Sequence, residues 1–109
     1  VVLELVDSSV YDEGMITSDE PGIYIEGSHG ICIENMIVCR KGEKNEYGQF
    51  MYFETLTCAP IDLDAIDPAL LNSDEKRMLN DYHRFVYDTL SPLMDADERE
   101  WLKRYTRAI

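Results

Sequence analysis

The sequence predicts an α+β fold in which antiparallel strands come first and two helices come last. Three observations point there. Up to about Thr57 the chain runs in β-branched and aromatic stretches broken by Gly and Pro turns. Beyond Pro60 the apolar residues recur at helical spacing, and two helix-start signals fall only in that second part. Strands and helices segregated along a chain define the α+β class.

The elements follow in order. VVLELV is a short apolar run that could form a strand. GMITS follows it, then Pro21-Gly22, where Pro presets one turn angle and Gly supplies a positive φ. IYI, the turn EGSHG and the long run ICIENMIVCRK come next. KGEKNEYGQ reads as a polar loop, and MYFETLT, rich in aromatic and β-branched residues, as a strand. IDLDAIDPALL is a transition with short turns around Pro68. Asn72 with Glu75 gives a capping-box start. Leu71, Met78, Leu79, Tyr82, Phe85, Val86 and Leu90 then mark one helical face. Ser91-Pro92 interrupts that helix. Asp95 and Glu98 open a second one with Trp101, Leu102 and Tyr105 on its apolar side, and Trp101 and the tyrosines read as core. There is no internal repeat.

At 109 residues with 45% apolar content, the chain can bury roughly 60–70% of the surface its unfolded form exposes. Ten basic against twenty-two acidic residues leave a net charge of −12. That disfavours nucleic acid and anionic membranes as partners, since binding a phosphate backbone needs a dense basic patch. No apolar run approaches the ~20 residues of a membrane span. Val1 opens into VVLELVD without an initiator Met, so the chain is expected to be part of a longer protein. Cys32, Cys39 and Cys58 form no zinc-type spacing and sit in apolar stretches. They are expected to be reduced core residues of a cytoplasmic protein, with a disulfide between two of them as the alternative.

Glu34 is the residue out of place. Along ICIENMIV, Ile31, Ile33, Asn35 and Ile37 share one strand face, and Cys32, Glu34, Met36 and Val38 the other. Both faces are mostly apolar, which predicts a central strand covered on both sides. A carboxylate there costs several kcal/mol unless it is paired, protonated or metal-bound. A buried salt bridge, a metal ligand and a catalytic acid of raised pKa all meet that requirement. Glu20 precedes Pro21, which holds it extended at a strand end. Such a position suits a functional group as well as an ordinary exposed carboxylate. Glu54, within MYFETLT, is read as a partner for a nearby base or backbone, with a place beside the substrate as the alternative.

Taken together, these segments resemble the pita-bread metallopeptidases. GMITSDEPGIY is similar to their GM-(I/V)-x-(S/T)-(N/D)-EPG-(Y/I)-Y stretch, and GICIENMIV to their GIRIEN-(L/V)-V segment. FETLTCAPID, DPALL, LNDYHRFVYDTLSPL and EREWLKRYTRAI resemble the C-terminal extension of the long, three-domain aminopeptidase P branch. The likeness runs from Gly14 to Ile109. It implies residues 1–57 as the incomplete C-terminal part of a pita-bread catalytic domain and residues 58–109 as a helical extension. It also implies a cytoplasmic, homodimeric parent enzyme that removes the N-terminal residue from peptides with proline in second position.

In that family two divalent ions, usually manganese, lie between two Asp, one His and two Glu. Glu20 matches the Glu of EPG, a metal ligand that also acts as the acid/base on the attacking water. Glu34 matches the Glu of the IEN motif, which bridges both metals. Hard oxygen donors suit manganese, and paired cations would keep Glu34 ionised. The family's Asp and His ligands lie upstream of such a segment, and His29 and His83 read as structural. Two ligands of five cannot hold the pair, so this chain by itself is expected to be metal-free and inactive. Cys32 stands where the family has the Arg of RIEN, which supports the ligands from behind. Two other readings stay open: a C-terminal dimerisation module, and a non-catalytic pita-bread relative.

Overall fold

The computed structural model describes residues 10–109, so the expected strand VVLELV lies outside the described residues. The chain packs as two compact units, one ending at Thr57 and the other spanning Cys58–Ile109. The order of elements is antiparallel strands and then two helices, the α+β arrangement expected.

The first unit holds five strands. They are β1 (Ile16–Asp19), β2 (Gly22–Ile25), β3 (His29–Cys32), β4 (Asn35–Asn45) and β5 (Gly48–Thr55). β4 is the middle of a three-stranded sheet ordered β1-β4-β5, and β2 and β3 form a two-stranded ladder. Neighbouring Val38 and Cys39, at 4% and 0% exposure, point to opposite faces of β4. The central strand is therefore covered on both sides there. That cover does not reach Glu34. Ile33 and Glu34 fall between β3 and β4, and both are exposed.

Two further expectations for this unit change. KGEKNEYGQ is not a loop: β4 runs on to Asn45 and meets β5 through a two-residue turn at Glu46-Tyr47. Pairing overrides the weak strand propensity of those polar residues. Gln49 Nε2 donates to the Gly42 and Phe50 carbonyls at 2.9 Å each, across the irregularity between Lys41 and Lys44. Cys39 is buried and Cys58 half-buried, as core residues would be, whereas Cys32 is exposed. Its strand lies in the two-stranded ladder rather than in the middle of the larger sheet.

The second unit is helical. α1 spans Ser73–Leu90 and α2 spans Ala96–Tyr105, with short 3-10 turns at Leu63–Ala65, Pro68–Leu70 and Ser91–Leu93. Both helices begin with a full capping box. Asn72 Oδ1 accepts from the Asp74 and Glu75 N–H groups while Glu75 accepts from the Asn72 N–H. Asp95 and Glu98 repeat the arrangement. Each box satisfies backbone donors that a helix start leaves free. Leu63, His83, Val86 and Leu102 form the core. The helical faces are looser than the spacing predicts: Met78 is 70% exposed and Trp101 50%, its ring resting on Tyr105 at 4.7 Å. Asn80 holds the last residue through a reciprocal pair of hydrogen bonds with the Ile109 backbone.

His83 is fully buried, and its Nε2 accepts from the Ile61 N–H at 3.1 Å. Burial pushes the imidazole below its ordinary value, and the nearby Arg107 charge adds to this. A His neutral when folded and protonated when unfolded gives the unfolded state more protons below about pH 6.5, so stability falls on acidification there. His83→Gln keeps an acceptor for Ile61 and removes the titration. Its urea midpoint is expected to drop less than the parent's between about pH 7.5 and pH 5.5. Equal drops would show that His83 does not carry this dependence.

Candidate metal centre

β1 and β2 are separated only by Glu20 and Pro21, and β3 and β4 only by Ile33 and Glu34. The pairs on either side, Asp19 with Asn35 and Gly22 with Cys32, keep one antiparallel register. Glu20 therefore comes opposite Glu34, and Pro21 opposite Ile33. Ile33 donates its N–H to the Pro21 carbonyl at 3.3 Å. Pro21 has no N–H to return, so the ladder is interrupted at this step.

Side chains two residues apart leave a strand on the same face, so Cys32 joins Glu34 beside Glu20. A carboxylate oxygen of each Glu and the Cys32 Sγ lie within 4.8 Å of one another, and all three residues are exposed. Among the described residues, neither His29 nor His83 joins this group. His29 pairs with Ile25 at the far end of the hairpin, with its Nδ1 2.8 Å from Ser28 Oγ. Glu54 is the ordinary partner expected, bonded to Arg40 Nε at 2.6 Å.

Neighbouring residues shape the group. Ser18 Oγ donates to Glu20 Oε1 at 2.5 Å, fixing one carboxylate oxygen. The Tyr24 ring lies across Gly22 and Gly30, where an added Cβ would come within 2.8 Å and 2.6 Å of it. Only glycine leaves room for the ring at both places. The Tyr24 hydroxyl is raised above its ordinary pKa, first by a hydrogen bond to Cys32, then by the negative charge of Cys32, by desolvation, and by the charges of Glu20 and Glu34. Ser18 and Tyr24 did not stand out in the sequence. Both lie on the face that carries Glu20, at two-residue spacing, and that alternation is the signal that could have found them.

The donor set fits a divalent cation. Two carboxylates facing each other across a ladder repel, and a cation between them would convert that repulsion into attraction. Their oxygens are hard donors suited to manganese and its neighbours, while the Cys32 sulfur is a soft one.

Comparison with known proteins identifies the family of the chain. The chain is 43% identical over 101 residues to a probable Xaa-Pro aminopeptidase P of Coprinopsis cinerea, covering 88% of this chain and 16% of that protein. It is 44% identical over 98 residues to the probable Xaa-Pro aminopeptidase P of Pyrenophora teres f. teres, covering 85% and 15%. The chain thus spans about a sixth of the length of these relatives. Its fold matches the crystal structure of X-prolyl aminopeptidase from Caenorhabditis elegans, described as a cytosolic enzyme with a di-nuclear active site. That match has a TM-score of 0.73 at 28% identity and covers 91% of this chain and 17% of the other. Residues 49–109 match the family model for the C-terminal region of peptidase_M24. The chain belongs to the M24 peptidase family and carries its C-terminal region.

Proposed function

We propose that this chain is the C-terminal segment of a dinuclear metal-dependent aminopeptidase, which removes the N-terminal residue from peptides with proline in second position. In this reading residues 1–57 complete the catalytic domain and residues 58–109 extend it. The observation that carries it is the register that sets Glu20 opposite Glu34, with the oxygens of both in one cluster. The relatives named as Xaa-Pro aminopeptidases, and the di-nuclear site described for the solved one, support the same assignment.

Glu34 would hold both ions and Glu20 one of them. When bound, the ions supply Lewis-acid polarisation of the scissile carbonyl and lower the pKa of a water. Glu20 accepts a proton from the attacking water and returns it to the proline nitrogen as the peptide bond breaks. Ser18 keeps one Glu20 oxygen occupied and so orients the other. Manganese suits the oxygen donors. A homodimer and a cytoplasmic location complete the reading; the cytosolic description of the solved relative supports the latter. Among the described residues no helix is long and apolar enough to cross a membrane. The segment alone, lacking the upstream ligands, is expected to be inactive.

The test is hydrolysis of an Xaa-Pro peptide by the full-length protein with and without added manganese, and then with other divalent ions. Metal-dependent release of the first residue is the expected result. No release with any ion would leave a non-catalytic relative.

A further inference from the structure

We infer that Cys32 is a metal ligand in this protein, a sulfur donor beside the two carboxylates that turns the site toward thiophilic divalent ions such as zinc and cobalt. This rests on the reading of Glu20 and Glu34 as ligands. The Cys32 Sγ lies within 4.8 Å of an oxygen of each, a spacing that small side-chain rotations close around one ion. Cys32 is exposed at the site, so within this segment it is not a core residue. Opposite it stands Gly22, which has no side chain to come between the sulfur and the carboxylates. The Tyr24 ring closes over that gap, with Gly22 and Gly30 beneath it. Cys32 is thus directed toward the Glu pair by the same strand alternation that places Glu34 there. A guanidinium at this position could only support the ligands as a cation; a thiolate can join them. Sulfur binds zinc at about 2.3 Å and favours it over manganese, which prefers oxygen.

The experiment loads the full-length protein and its Cys32→Ser variant with cobalt alone, and records bound ion per chain and the ultraviolet absorption. Separately, the zinc-to-manganese affinity ratio is measured by competition. The expected result is a sulfur-to-cobalt charge-transfer band in the parent that is absent from Cys32→Ser at equal cobalt content. The affinity ratio is expected to fall by about 10–100-fold in the variant, at least the loss seen when an outer-sphere partner is removed. Full cobalt loading without that band, and with an unchanged ratio, overturns the role of Cys32 and leaves the carboxylate site standing. Failure of the parent to bind any ion overturns both. Should Cys32→Ser lose its fold, Cys32→Ala and the band in the parent still decide the question.

Discussion

Glu34→Gln in the full-length protein is expected to abolish metal-dependent hydrolysis and to weaken metal binding by more than the roughly 10–100-fold that loss of an outer-sphere partner costs. The amide keeps the shape of the side chain but carries no charge, and it offers one acceptor oxygen in place of two. A bridging role needs both. Glu20→Gln is expected to separate differently. In the proposed reading it gives up one ligand charge and also the group that handles the proton, so kcat should fall by about 10²–10⁴-fold even when metal is supplied to saturation. Peptide turnover and bound metal per chain, measured together, check both variants. If Glu34→Gln kept parent-like metal content and activity, its assignment as a bridging ligand would be wrong. The fold should survive both changes, because Glu20 and Glu34 are exposed and make no contribution to the buried core.

Leu102→Ala is expected to destabilise the helical unit by about 2–5 kcal/mol. Leu102 is fully buried on α2, among the few buried residues of its unit. Truncation removes its burial and leaves a cavity that a small core has little means to refill. Leu93, at 83% exposure, supplies the control: Leu93→Ala should stay within about 0.5 kcal/mol of the parent. Hydrogen exchange of the α1 and α2 amides in the full-length protein reads the effect where it occurs. Faster exchange in Leu102→Ala alone is the expected pattern. Matching rates in the two variants would mean that Leu102 does not anchor the unit.

Much of this was legible from the sequence because local chemistry decides it. Asn72 with Glu75 and Asp95 with Glu98 announce helix starts, since a side-chain oxygen three residues from a Glu can satisfy the backbone donors that any helix leaves open. Pro21-Gly22, by contrast, predicted a turn with a positive φ at Gly22, but Gly22 takes no positive φ and opens β2, because the chain runs extended through Pro21 into its pairing with β3. The motifs GMITSDEPGIY and GICIENMIV pointed to Glu20 and Glu34, and the family match over residues 49–109 agrees with the resemblance seen further along the chain.

Other features depend on residues distant in sequence, and alternation along one strand cannot report them. It marked Glu34 as buried because its neighbours are apolar. Burial depends on what covers a strand, and the cover on β4 lies at Val38 and Cys39. Polar KGEKNEYGQ was read as a loop because propensity is local, whereas its pairing with β5 is not. Cys32 was expected in a core, and the tertiary structure sets it instead in the open beside two carboxylates. The sequence by itself determined the order of the elements, their caps and the two acidic positions. Only the tertiary structure decided that those acids face each other in register, with the Cys32 thiol of β3 beside them. Register is a relation between two segments, and neither segment contains it alone.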